Sequence, residues 1–210
     1  MRYSEIDINK YFDRIFYINL NENVERNDNI LKNLHEFKIV NFERVEGEKV
    51  TDLPDYFYYR NFINIDKNYI LGSLGCRNSH LKCIKIAKAN NYKKILIFED
   101  DITINSDINS ILKKNYSKLF DWDMIYFGGL IEHHFRNQIV GAFAYALHES
   151  LFDDIIYMCE NSGMEIDNFY AKIIQHMSYN KNLSGKYNIK IIEPFNLVSH
   201  DYLFKSNIRN

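Results

Sequence analysis

The sequence predicts an α/β fold with a mostly parallel central sheet and helices on both faces. Three observations carry that expectation. Short β-branched and aromatic runs alternate along the chain with segments whose apolar residues recur at helical spacing. One run, Lys93–Phe98 (KKILIF), is apolar without alternation, as in a central strand covered on both sides. Of the 210 residues 46% are hydrophobic, enough for a sizeable core, and no repeat, low-complexity tract or Pro/Ser-rich linker divides them, so one domain over 1–210 is expected.

Taken in order, Arg14–Leu20 (RIFYINL) reads as a first buried strand and Asn21 as the cap of a helix over Glu22–Phe37, in which Ile30, Leu31, Leu34 and Phe37 share a face. Lys38–Val45 reads as a second strand. Glu46–Ser73 mixes Gly, Asp, Pro and aromatics without a period and reads as a long irregular segment over one face. Ser79 is then expected to cap a helix running to Asn90, with Leu81, Ile84 and Ala87 on its apolar side. After the central strand come a helix over Ile108–Leu119, strands over Asp123–Phe127 and Gly141–Leu147, helices over Glu149–Cys159 and Asp167–Met177, and a late strand over Ile189–Ile192. In sheets of this kind ligands sit at the carboxyl ends of the strands.

Composition narrows the function. Lys+Arg 26 against Asp+Glu 28 leaves a formal charge of -2, so no overall basic field is available to hold a nucleic-acid backbone. Cys76, Cys83 and Cys159 fall at no structural-zinc spacing, and an odd count suits a reducing compartment; they read as buried thiols. The N-terminal MRYSEIDINKYFDR is polar, and no later run approaches the ~20 apolar residues of a transmembrane span, so a cytoplasmic protein is expected.

Glu99, Asp100 and Asp101 place three carboxylates where the most apolar strand stops. Such crowding of like charge is relieved most simply by a hard divalent cation. If the strand continued through the triplet, Glu99 and Asp101 would face one side, toward a metal, and Asp100 the other, toward a ribose or sugar hydroxyl. A solvated acidic turn is the structural alternative. Gly72–His80 (GSLGCRNSH) reads as a glycine-bearing loop entering a helix, a place where exposed N–H groups favour a diphosphate, or else as a plain turn and cap. His133, His134, His148 and His176 form no ligand pair at helical spacing; His200 follows the last strand and could reach a site at the sheet's edge. Asp167, at a helix start, suits a base as well as a cap.

Together these segments resemble glycosyltransferase family 25, the group of lipooligosaccharide and collagen galactosyltransferases. The likeness runs in order through FYINL with Arg26 after it, FERVEG, GSLGCRNSHLKCIKIA, ILIFEDDI, DWDMIYFGG, GAFAYAL and MEIDNF, its specific part being GC-x-x-SH followed some twenty residues later by EDD. The resemblance implies a GT-A type, Rossmann-like domain that takes a UDP-sugar donor with a divalent metal, usually Mn2+, and a glycan or glycoprotein acceptor. It places the nucleotide against Ile18 and Asn19 with Arg26 near the phosphates or base, and makes the acidic triplet Glu99-Asp100-Asp101 the metal-binding DxD-like motif; Ser79 and His80 are expected near the donor because their segment opens a helix beside the central strand. It assigns Asp167 to the acceptor side as a candidate base, with His200 completing the metal shell. The usual Pro-Val-Asp reads Glu-Ile-Asp here, and the arginine-rich stretch after the first strand is thinned to Glu25-Arg26-Asn27.

The expected activity is transfer of a galactose- or glucose-type hexose to an acceptor hydroxyl. Inversion would require a base such as Asp167, whereas retention would leave Asp167 to hold the acceptor. An inactive sugar- or nucleotide-binding protein of the same fold is the alternative, opposed by the intact EDD triplet. A metal-dependent phosphohydrolase would need a second cluster of Asp and His ligands, and the sequence lacks one.

Overall fold

The structure is a computed structural model and describes residues 6–53, 66–132, 138–162, 164–179 and 186–201. His133 and His134 lie outside the described residues. The elements are α1 (Ile8–Tyr11), β1 (Arg14–Asn19), α2 (Val24–Glu36), β2 (Phe42–Glu46), α3 (Lys67–Ala89), β3 (Lys94–Glu99), β4 (Ile102–Ile104), α4 (Ile108–Lys114) and β5 (Met124–Tyr126). There follow β6 (Leu130–Glu132), β7 (Gln138–Val140), β8 (Ala144–His148), α5 (Phe152–Ser162) and α6 (Ile166–Phe169). A π-helical stretch, Tyr170–Gln175, leads on into α7 (His176–Tyr179), before β9 (Ile189–Ile191) and β10 (Val198–His200). Short 3-10 turns at Tyr116–Leu119 and Glu149–Leu151 extend α4 and lead into α5.

Six strands form the central sheet in the order β2-β1-β3-β8-β5-β9. β8 alone runs against its neighbours β3 and β5; the other pairings, β1 with β2 and β3 and β5 with β9, are parallel. Alternation along the strands divides the core between the two faces. Ile15, Tyr17, Leu96, Phe98, Ile125, Ala144 and Ala146 meet Ile8 of α1, Ile30 and Leu34 of α2, and Ile108, Ile111 and Leu112 of α4. Phe16, Ile95, Ile97, Met124, Tyr126, Tyr145 and Leu147 meet Leu81, Ile84 and Ala87 of α3, Ile155 and Cys159 of α5, and Ile166 and Phe169 of α6. Both faces of β3 are therefore covered, which is why it reads as an unbroken apolar run.

Helix ends account for several shifts from the sequence reading. α2 and α3 close in the same way: Lys38 (φ 55) and Asn91 (φ 58) enter the left-handed region, and the N–H groups of Ile39 and Tyr92 return to Leu34 O and Ala87 O. That turn delays β2 to Phe42, so the expected strand over Lys38–Val45 starts too early. Asn21 does not cap α2. Asn23 holds the cap position without a side-chain bond, and Asn21 accepts instead from Arg44 Nη2 at 2.7 Å.

The largest correction concerns α3. It begins at Lys67, capped by Asp66, whose carboxylate accepts from Asn68 N–H at 2.6 Å. Gly72–His80 is thus helix interior, not a loop, and the anion-binding helix start expected there does not exist. Ser79 is not a cap. Its hydroxyl donates to Gly75 O at 2.7 Å and accepts the N–H of Glu48 at 2.8 Å. Gly75 permits this approach, because a Cβ there would collide with the Glu48 carbonyl.

Among the described residues no helix is long and apolar enough to cross a membrane.

Candidate active site

The sheet's topology gathers the acidic triplet and its neighbours at one edge. β1 and β3 are parallel and in register with Ile18 opposite Glu99, so Asn19 and the triplet emerge side by side. Because β8 is reversed, its entry lies at this edge as well, and Glu99 N–H donates to Phe143 O at 2.9 Å. The ribbon of β4 and β10 pairs His200 with Ile102, and Asp201 N–H donates to Asp101 O at 2.7 Å, which fixes His200 over Asp101.

α2 delivers the cation. Arg26, Ile30 and Leu34 recur every four residues on its buried side, so the stripe that docks the helix also carries the guanidinium inward. Arg26 Nη1 donates to Asp100 Oδ1 at 3.0 Å and to Asp101 Oδ2 at 2.9 Å. The strand ends at Glu99, so the period-two expectation of Asp100 and Asp101 on opposite sides fails: both turn to one guanidinium. Asn19 Nδ2 donates to Asp100 Oδ2 at 2.7 Å while its Oδ1 accepts from Arg44 Nε at 3.0 Å and Nη2 at 2.9 Å. Burial raises the Asp100 carboxyl above its usual range, against the lowering pull of Asn19 and Arg26.

One oxygen is left over. Asp101 Oδ1 is buried with no hydrogen-bond partner. Asp101 Oδ2 also lies 3.2 Å from His200 Nε2, a contact that raises the imidazole pKa. Glu99, Asp101 and His200 each present one ligand atom, all within 4.8 Å of one another. Two carboxylates and an imidazole form an oxygen-rich donor set that fits Mn2+ or a similar divalent cation, and the partnerless Asp101 oxygen is a position that such an ion would satisfy.

On the other side of Glu99 stands His80, fully buried, with Nε2 3.1 Å from Glu99 Oε1 and Nδ1 2.8 Å from the Tyr145 hydroxyl. Tyr170 OH donates in turn to Tyr145 OH at 3.1 Å. An ionised carboxylate only accepts, so the donations run from Tyr170 through Tyr145 and His80 to Glu99. Cys76, one helical turn before His80, points its thiol at Glu99 Oε1 at 3.8 Å. Burial and then the charges of Glu99, Asp167 and Asp101 push that thiol well above its ordinary pKa.

Asp167, in the first turn of α6, accepts the Ala142 N–H at 2.9 Å. Burial first, and the charge of Glu99 second, raise its carboxyl to about 6, with His80 and the Ala142 bond opposing. Of the residues singled out in the sequence, Asn19, Arg26, Asp100, Asp101 and His200 are joined by direct contacts, His80 contacts Glu99, the ligand atoms of Glu99, Asp101 and His200 lie within 4.8 Å of one another, and Asp167 is electrostatically coupled to Glu99. Ile18 is half-buried against the α3-side core. His148 is occupied with Ser150, and His176 is exposed at the start of α7. Cys76, Arg44 and Tyr145 were missed as site residues. The four-residue spacing of Cys76 and His80 would have shown them on one face had the segment been read as helix.

A mostly parallel sheet with one reversed strand and an acidic cluster at its carboxyl edge is the GT-A type of fold, the architecture of nucleotide-sugar transferases. The chain belongs to glycosyltransferase family 25 (LPS biosynthesis protein), whose profile matches residues 12–204. It is 27% identical over 133 residues to procollagen galactosyltransferase 2 of Homo sapiens and 26% identical over 133 residues to procollagen galactosyltransferase 1 of Danio rerio. Each match takes in 56% of this chain and 21% of the relative. Among solved structures it resembles a glycosyltransferase involved in glycosylation of the major capsid of PBCV-1, with TM-score 0.51 and 11% identity over 92% of this chain and 94% of that one.

Proposed function

We propose that this chain transfers a hexose from a UDP-sugar to an acceptor hydroxyl on a glycan or glycoprotein, with Mn2+ or a similar cation held by Glu99, Asp101 and His200. The observation that carries the reading is the buried, partnerless Asp101 oxygen beside Glu99 and His200 at the carboxyl edge of a GT-A sheet. When bound, the cation would neutralise the donor diphosphate and stabilise the charge that develops on the UDP leaving group. Asn19 and Asp100 face the nucleotide beside Ile18, and Arg26, anchored on both aspartates, contributes positive charge near the phosphates. His80 orients Glu99. Ser79 is not used for the donor in this reading: it is buried, its O–H donates to Gly75 O and its oxygen accepts the Glu48 N–H, both within the α3 packing.

Asp167 is the proposed base on the acceptor side. A carboxyl with a pKa of about 6 is ionised at neutral pH yet basic enough to take a proton from an attacking hydroxyl. The names of the collagen-modifying relatives support galactose as the first sugar to test.

The deciding experiment is a panel of UDP-sugars with Mn2+, read by UDP release with and without simple glycoside acceptors. Acceptor-stimulated, Mn2+-dependent release of UDP from one sugar is expected. Tight UDP binding with no turnover of any sugar would instead favour a nucleotide-binding protein that has lost the chemistry. UDP binding indifferent to divalent ions would remove the metal from the reading.

A further inference from the structure

We propose that Cys76, His80 and Glu99 form a second metal site, selective for Zn2+, that shares Glu99 with the donor-side cluster and so opposes it. The effect on the donor rests on the function proposed above; the binding of zinc does not. Three side chains from two adjoining elements converge here. Cys76 and His80 stand one turn apart on the same face of α3, the spacing that brings two ligands to one ion, and Glu99 ends the neighbouring strand β3.

Sγ and Nε2 lie 3.8 and 3.1 Å from the same Glu99 Oε1, and the three ligand atoms fall within 4.8 Å of one another. Zinc–ligand bonds of about 2.0–2.3 Å in a tetrahedron set ligand atoms roughly 3.4–3.6 Å apart, so the ion needs only small side-chain shifts.

The surroundings support the site. His80 is 1% exposed and its far nitrogen is held by Tyr145, the outer-shell contact that fixes a ligating imidazole. Glu99 keeps 25% of its side chain exposed, which leaves a solvent-facing side for a fourth ligand such as water. Thiolate and imidazole select zinc over manganese, whereas Glu99, Asp101 and His200 provide the oxygen-rich alternative.

Binding breaks the Cys76 S–H bond and the His80 Nε2–H bond. The thiol proton leaves to solvent, and the imidazole tautomerises so that its proton sits on Nδ1 and donates to the Tyr145 oxygen, whose own hydroxyl proton turns toward Tyr170.

The test uses the full chain, stripped of metal, and Co2+ as a spectroscopic stand-in for Zn2+. Titration should produce a near-ultraviolet thiolate-to-cobalt charge-transfer band saturating at one equivalent and erased by added Zn2+. The band should vanish in Cys76→Ser and Cys76→Ala. It should persist in His200→Ala, and Tyr145→Phe should weaken Co2+ binding about tenfold. Circular dichroism of each variant separates loss of the site from loss of the fold. No charge-transfer band in the wild type, or an undiminished band in folded Cys76→Ser, overturns the site.

A second arm measures Mn2+-dependent UDP affinity with and without one equivalent of Zn2+. Weakening in the wild type that is relieved in Cys76→Ser supports the shared Glu99, and equal affinity with zinc bound overturns it. If UDP does not bind at all, the donor reading fails while the cobalt band still decides the site.

Discussion

Arg26 donates through Nη1 to Asp101 Oδ2 at 2.9 Å while the other oxygen of the same carboxylate, Oδ1, stays buried and partnerless. The guanidinium thus anchors Asp101 without saturating it. Asp101→Asn preserves the shape but halves the charge of that corner, and the expected outcome is loss of any Mn2+-dependent gain in UDP affinity. Calorimetry of wild type and variant, each with and without Mn2+, checks it; an equal Mn2+ effect in both would remove Asp101 from the metal.

The same relationship predicts a stability effect. Arg26→Gln leaves two buried carboxylates without their cation, a loss of about 3–5 kcal/mol for pairs broken on one side. An ion that binds only the folded chain adds stability by mass action. Mn2+ should therefore raise the melting temperature of Arg26→Gln more than that of the wild type. Equal increments would mean that the ion binds out of reach of the aspartates.

Gly75 and Ser79 test the packing of α3. Gly75→Ala drives a Cβ into the Glu48 carbonyl and should cost about 1–3 kcal/mol in urea unfolding. Ser79→Ala leaves the Glu48 N–H unpaired, at a similar cost of about 1–3 kcal/mol. Near-normal UDP affinity is expected in both. A Ser79→Ala variant with unchanged stability and weakened donor binding would return Ser79 to the donor site.

These two residues also show where the sequence misleads. Gly72, Gly75 and Ser79 look like punctuation because glycine and serine usually mark turns, yet here glycine serves a close approach of backbone to helix and serine bonds across it. Neither demand is local, so neither is written in the helix's own pattern. The strands were legible because their alternation, Ile15 to one face and Phe16 to the other, is local physics. The triplet was legible as a cluster, but its geometry was not: the bend after Glu99 depends on Arg26, seventy-odd residues earlier, and on His200, a hundred residues later. Asn21 misled similarly, since its partner Arg44 lies on the neighbouring strand.

His80 is expected to position Glu99. His80→Gln keeps a donor near Glu99 but loses the imidazole bridge to Tyr145, and Mn2+ affinity should fall roughly 10- to 100-fold, as for other outer-shell contacts to a ligand. Electron paramagnetic resonance of free Mn2+ measures it without any sugar present. Unaltered Mn2+ affinity would show that Glu99 needs no such support.

Asp167 joins a pH effect to a catalytic one. As the base it must be ionised, so transfer should decline as pH falls through about 6, the value to which burial and Glu99 raise it. The stability sign is the reverse. The folded carboxyl binds its proton more tightly than the unfolded one, whose value is 3.8. The stabilisation is therefore complete below the unfolded value and is lost as pH rises through about 6, amounting to at most about 3 kcal/mol. Asp167→Asn removes the buried charge while its amide oxygen can still accept the Ala142 N–H. The variant should be more stable than the wild type at pH 8 and close to it below pH ~3, where an unfolded aspartate is largely protonated. Transfer should fall on the order of a hundredfold, with UDP affinity little changed. Urea unfolding at the two pH values and transfer assays with Mn2+ measure both effects. Near wild-type transfer would make Asp167 a structural acceptor for Ala142, and loss of Mn2+-dependent UDP binding would move it into the metal shell beside Glu99.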